Sequence, residues 1–351
     1  MTDPGGGIPD DLPDLPPSDE PTPMAEPFHV IVTDFLTEAD VERPILGDIA
    51  RIHLAGAVSE DDLAGPLPTA DALIVYHDVP MLTEASLSRL KHCKGIVRAG
   101  VGYNNIDVDE AQRRGIPVCN VPDYGAEEVA DHAIMMLLAV IRRLLPSHEA
   151  IRKGGWDVPV VYGVPRLRGR TLGLVGCGRI GSATALRAKA FGLDVVFYDP
   201  HVAPGFEKAL GVRRASTPEA LFEQSDYVSV HCYLDEASHH LVNADRLARM
   251  RSGGVLINTA RGPIVDQEAL IEALDSGHLA GAGLDVVERE PLDDDRLRSH
   301  PRVVLTPHVA FYSVEGFLEM RRKSAEEVRR LLLGQPPRCP VNEAARRLCP
   351  A

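Results

Sequence analysis

Three segments of the 351-residue chain carry side chains suited to acid–base and anion chemistry: "NTARGPIVD" with Arg261, "GLDVVEREP" with Asp285 and Glu290, and "TPHVAFYS" with His308. Each has an ordinary structural explanation. Arg261 could be a solvated loop charge, Glu290 before Pro291 a turn acid, Asp285 a helix cap, and His308 a core histidine satisfied by one hydrogen bond. Taken together, they supply what reduction of a 2-keto acid needs. Arg261 offers a planar fork for a carboxylate or carbonyl. His308 would protonate the developing alkoxide as hydride arrives. Glu290 would hold the imidazole in one tautomer and favour its charged form, and Asp285 would accept a nicotinamide amide.

A hydride donor is written into "TLGLVGCGRIGSATALRAKAFGLDVVFYDP", residues 171–200. A strand runs into Gly176-Cys177-Gly178-Arg179-Ile180-Gly181, a helix follows, and a second strand ends at Asp199. Gly176 permits the tight turn, Gly178 lets backbone approach a pyrophosphate, and Gly181 lets helix and strand pack closely, with the helix N-terminus facing the phosphates. Asp199 is placed to accept the adenosine ribose hydroxyls and would repel a 2′-phosphate, so NAD(H) is expected rather than NADP(H).

These residues need sheets to position them. "FHVIVTDF", "DALIVYH", "KGIVRAG" and "IPVCNV" read as buried strands of a first α/β unit. "TLGLVG", "LDVVFYD", "DYVSVHC", "GVLINTA", "AGLDVV" and "VVLTPH" read as those of a second. A single helix is predicted over 126–145, its apolar face wide enough to lie between domains or against a partner chain. The late start of the dinucleotide motif implies an inserted domain. The expected fold class is therefore α/β, with two Rossmann- or flavodoxin-like parallel-sheet domains, a NAD-binding domain over 126–307 inserted into a substrate domain of 27–125 and 308–345. A C-terminal strand and helices would complete the latter. Residues 1–26, acidic and rich in Pro and Gly, are expected to be disordered.

Net charge is −14, and no Lys/Arg cluster with interleaved aromatics is present, so no direct nucleic-acid partner is expected. The apolar run "AIMMLLAVI" (133–141) is too short to span a bilayer. The opening residues show no charged-then-apolar pattern, so a secretory signal is not expected. The six cysteines form no CxxC pair and no zinc spacing, which predicts no metal and a reducing, cytoplasmic compartment.

In the order "RAGVGYNNID", "VGCGRIG", "FYDP", "NTARG", "GLDVVEREP" and "TPH", residues 28–345 resemble the D-isomer-specific 2-hydroxyacid dehydrogenases. "LRAKAFGLDVVFYDP", "HHLVN", "TPHVAFYS" and "MRRKSAEEVRRLLLG" are similar to the branch of C-terminal-binding proteins. The resemblance implies a catalytic triad of Arg261, Glu290 and His308. It implies substrate contacts from the backbone of Val101 and Gly102, from Arg261 and from Phe311, which stands where that branch carries Trp. Cofactor contacts are implied for Val101, Gly176 to Gly181, Asp199, Cys232 to Ser238, Thr259, Ala260, Arg261, Asp285 and His308. It further implies a homodimer built through the cofactor domain and domain closure around a small 2-keto or 2-hydroxy acid. No regulatory domain is expected past residue 345, a departure from the longer members of the family. With Glu rather than Gln at 290, formate is disfavoured. "HCYLDEASHH" (231–240) departs from the usual pattern, which carries Pro after His-x. The branch likeness carries a second expectation, a dimeric NAD(H)-sensing scaffold with little turnover. The tail motif "PDDLP" (9–13) loosely resembles the short Pro-x-Asp-Leu peptides such proteins bind.

Overall fold

The computed structural model describes residues 26–349 except 78 and 80. The expected tail disorder and the "PDDLP" motif lie outside the described residues. Two separate sheets form, both wholly parallel.

The first sheet contains β1 (Phe28–Val32), β2 (Ala50–Leu54), β3 (Ala72–Val75), β4 (Gly95–Arg98) and β5 (Val118–Asn120), in the order β2-β1-β3-β4-β5. The second contains β6 (Thr171–Val175), β7 (Asp194–Tyr198), β8 (Arg213–Arg214), β9 (Tyr227–Val230), β10 (Gly254–Asn258), β11 (Leu279–Leu284) and β12 (Val303–Leu305), in the order β12-β11-β10-β9-β6-β7-β8. Every residue of β3, β6, β9 and β10 is buried. That is why these segments read as continuous apolar runs: helices cover both faces of a parallel sheet. β2 and β8 escape sequence reading because they are edge strands. β2 alternates buried with exposed residues, among them Arg51 and His53, and β8 is only Arg213 and Arg214.

The single helix expected over 126–145 is two. One spans Ala126–Ile141, the next Leu144–Arg152, and Arg143 between them is left-handed at φ +52°. Pro146 explains the break, since it has no N–H for the carbonyl four residues back and its ring would clash there. The first helix buries Ala133, Met136, Leu137 and Ile141 against the second sheet and the helix Arg179–Ala190. The expected C-terminal strand is also absent from the first sheet. The end of the chain contributes the helices Val314–Leu332 and Glu343–Arg346 and one isolated bridge, Cys119 to Pro340. Arg321 on the longer helix donates to fully buried Glu42, riveting that helix to the first sheet's covering layer.

No helix among the described residues is long and apolar enough to cross a membrane, and no cluster of metal-binding side chains occurs there.

Candidate active site

In an open parallel sheet, ligands bind beyond the C-terminal strand ends, where chain order reverses. The second sheet reverses between β6 and β9, the first between β1 and β3. The two reversals face one crevice of about 340 Å³.

On the cofactor side, Gly178 precedes the helix Arg179–Ala190, which has no side-chain cap and no acidic residue in its first turn. Its N–H groups and dipole are thus left for an anion. A Cβ at Gly181 would lie 2.3 Å from the Gly176 carbonyl, so only glycine allows that turn to close, whereas a Cβ at Gly178 would meet nothing, as a surface for an approaching phosphate requires. Asp199 follows β7 and ties itself to the turn, accepting from the Cys177 amide at 2.8 Å and the His201 amide at 2.9 Å. Thr259 Oγ1 and His231 Nδ1, both on the crevice, are buried without a hydrogen-bond partner. The residues present fit a dinucleotide: an uncapped helix end for the pyrophosphate, a carboxylate for the ribose, and unpaired polar atoms further along.

His308 follows β12 in a left-handed conformation, φ +55°. Its amide donates to the Asp285 carbonyl at 2.8 Å. The Asp285 carboxylate, 3 % exposed, accepts from the Thr306 hydroxyl at 2.6 Å and from the amides of Val309 and Ala310 at 2.9 Å each. Asp285 therefore builds the turn that displays His308. The imidazole Nδ1 lies 2.8 Å from Glu290 Oε2, while Oε1 accepts from the Val287 amide at 3.3 Å. Burial works to raise the Glu290 carboxyl. The hydrogen bond from His308, the charge of that ring, the Val287 amide and Arg261 together outweigh it and hold the carboxyl below its ordinary range.

Arg261 comes off β10, and its guanidinium lies over Gly102, where a Cβ would sit 1.8 Å from a guanidinium nitrogen. A larger residue there would push the guanidinium aside. Burial pulls Arg261 below its usual value, opposed by Glu290 and Tyr124. Arg98, which sequence reading passed over, joins it. Buried at the end of β4, Arg98 is pushed down to about 10 by desolvation and by Arg261, which leaves it cationic at neutral pH, and its Nε has no partner. Two guanidinium groups repelling each other across a glycine turn make an anion site. Its signal in sequence was the Arg at the head of "RAGVGYN".

The crevice is lined by Val101, Gly102, Gly178, Arg179, Ile180, Cys232, Thr259, Ala260, Arg261, Asp285, His308 and Phe311, all among the expected site residues. Gly176, Cys177, Gly181, Asp199 and Glu290 are not on its lining, and neither is Ser238. That side chain is buried in a turn, donating to the Tyr233 carbonyl and accepting from the Asp235 amide, both at 2.8 Å, so it shapes the 232–238 loop from behind. Tyr76, His77 and Tyr103, whose loops were expected to set the side-chain pocket, line the crevice, and so do Phe35 and Tyr124, which follow strands as aromatic residues that carry no motif.

The family model for the D-isomer specific 2-hydroxyacid dehydrogenase NAD binding domain matches residues 134–310, half of the chain. The chain belongs to the D-isomer specific 2-hydroxyacid dehydrogenase family. This 2-hydroxyacid dehydrogenase family member is 36% identical over 315 residues to D-3-phosphoglycerate dehydrogenase of Bacillus subtilis, covering 90% of this chain and 59% of that protein. It is 36% identical over 313 residues to C-terminal-binding protein 1 of Caenorhabditis elegans, covering 86% of this chain and 42% of that one. The chain thus spans about half the length of these two relatives. Among solved structures, it matches an NADPH-dependent glyoxylate/hydroxypyruvate reductase from Sinorhizobium meliloti, in complex with NADP and malonate, with TM-score 0.80 and 32% identity over 91% of this chain and 97% of that one.

Proposed function

We propose that this family member is a NAD(H)-dependent dehydrogenase that interconverts a small 2-keto acid and its D-2-hydroxy acid. The observation that carries the reading is the 2.8 Å His308–Glu290 hydrogen bond beside a crevice that also receives the Arg261 guanidinium. Bound nicotinamide would supply or accept a hydride at the substrate C2. In the reducing direction, Arg261 and Arg98, with the backbone of Val101 and Gly102, bind the carboxylate and orient the keto group. His308 delivers its proton to the keto oxygen as negative charge develops there, and Glu290 stabilises the imidazolium before transfer and fixes the ring. Asp199 favours NAD(H) over the NADP named for the Sinorhizobium relative, because a 2′-phosphate would face its carboxylate. The backbone crossings at 121–126 and 306–313 serve as the hinge between a substrate domain (27–125 and 308–345) and a cofactor domain (126–307).

The partner is a second copy of this chain. Met135, Leu144, Leu186 and Phe191 are exposed on and beside the helix Ala126–Ile141, an apolar area of the kind that marks an interface. The six free thiols suit the cytoplasm.

The test is NADH and NADPH oxidation, followed at 340 nm, across a panel of 2-keto acids. Turnover with NADH that is abolished in Arg261→Ala and His308→Ala supports the reading. An NADH-driven change of oligomeric state with no turnover replaces it with the sensing scaffold that the likeness to C-terminal-binding protein 1 suggests.

A further inference from the structure

The first sheet has its own switch point, between β1 and β3, and the residues there have no part in the triad. The loops leaving these strands are tied together by Asp34, whose carboxylate accepts from the Tyr76 amide at 2.9 Å and the Val79 amide at 3.2 Å. The next residue, Phe35, is held at φ +69°. A bulky side chain in the left-handed region is strained, and such strain collects at functional positions. Despite being an apolar ring, Phe35 is 39 % exposed, and what it exposes lines the crevice.

Phe35 ends a row of rings that begins at the proposed acid. His77 stands edge-on 6.5 Å from His308, and Phe35 stands edge-on 4.7 Å from His77. Phe311 flanks the row, 6.0 Å from His77. Behind Phe35, Tyr76 stacks at 5.6 Å and Phe317 meets it edge-on at 5.7 Å, so the ring is backed on two sides. The cations, Arg98 and Arg261, gather instead at the glycine turn. The crevice therefore has a polarity: charge for a carboxylate at one end, aromatic faces and edges at the other.

We infer that Phe35 caps a side-chain subsite and selects 2-keto acids carrying a bulky apolar substituent, branched or aryl, at C3. The inference rests on the dehydrogenase reading above. With the carboxylate at Arg261 and the keto oxygen at His308, the ring row to Phe35 offers C3 and beyond an apolar wall. A carboxylate in the side chain would be desolvated against those ring faces and edges.

The purified full-length protein is assayed with NADH against 4-methyl-2-oxopentanoate, phenylpyruvate, glyoxylate and oxaloacetate. The expected wild-type kcat/KM is at least ~10-fold higher for the first two. Phe35→Ala should lower kcat/KM for those two by ~10–200-fold, the range for a lost apolar contact, and leave glyoxylate within about twofold. Phe35→Gly should lose the same selectivity with a Tm no lower than that of Phe35→Ala, because glycine accepts φ +69° freely. The pair separates the ring from the backbone. A wild type that reduces glyoxylate or oxaloacetate at least as well as the apolar acids overturns the subsite and leaves the dehydrogenase reading intact. Equal loss on all four substrates in both variants also overturns it, since that would mark Phe35 as merely structural. Failure of the wild type to reduce any of the four overturns both.

Discussion

At the residue scale, the imidazole at 308 and the one at 231 are set to opposite uses. His308 is partly exposed and bound to a carboxylate; His231, beyond β9, has Ser229 Oγ at 2.9 Å from Nε2, no partner on Nδ1 and no carboxylate beside it. Burial pushes His231 down to about 4. An unfolded histidine takes up a proton near pH 6.5, the folded one only near 4. The unfolded state therefore binds more protons throughout that window, and stability falls as pH drops from about 6.5 to about 4, by up to about 3 kcal/mol. His231→Gln should flatten the Tm-versus-pH curve in that window relative to wild type, and superimposable curves would contradict the assignment. Glu290 follows the same sign in a lower pH window. Its depressed carboxyl contributes stability above the unfolded value near 4.3, which is lost as pH falls through the lower folded value. Glu290→Gln should cut kcat/KM for a 2-keto acid by ~10²-fold across pH 5–8 and lower Tm there modestly, the gap to wild type closing as pH falls below about 4. His308→Ala should cut it by ~10²–10⁴-fold.

At the scale of elements, the site depends on turns more than on strands. The segment 306–310 puts His308 at φ +55°, and Asp285 holds it there with three hydrogen bonds. Asp285→Ala would strand two buried amides and a hydroxyl, each costing ~1–3 kcal/mol, so Tm should fall clearly and kcat with it, while NADH affinity measured by fluorescence changes less. Equal loss of NADH affinity would assign Asp285 to the nicotinamide instead. The sequence made Asp285, Glu290 and His308 legible because each ends or follows a run of buried β residues, and the glycine motif because close approach demands glycine. Ser238 was misplaced for a reason of the same kind. Its loop is on the cofactor side, but spacing along a chain does not say which way a turn directs a hydroxyl. The break at Arg143 was visible in Pro146 and was overridden by the apolar periodicity around it. Arg98 and Phe35 were not legible, because their meaning arises only when β1, β3 and β4 lie side by side.

At the scale of the molecule, the helix Ala126–Ile141 has two apolar faces to satisfy. Its inner face is used: Met136 and Ala133 are fully or nearly fully buried against the second sheet. The outer one leaves Met135 49 % exposed, with Leu144 57 % and Phe191 46 % nearby, on a chain whose net charge of −14 otherwise keeps it dispersed. Burying about 25 cal/mol per Å² of such surface in a self-complementary interface is the economical resolution, since a two-fold axis covers both copies with one patch. Charge at its centre should then be intolerable. Met135→Glu combined with Leu144→Glu is expected to turn a dimer into a monomer in sedimentation equilibrium and to lower Tm, without touching any crevice residue. The crevice lies at the switch points, away from this helix face, so the monomer should keep NADH binding if folding survives. Wild-type protein that sediments as a monomer, with or without NADH, would remove both the dimer and the sensing role that depends on it, and would leave the enzymatic reading to stand on its crevice alone.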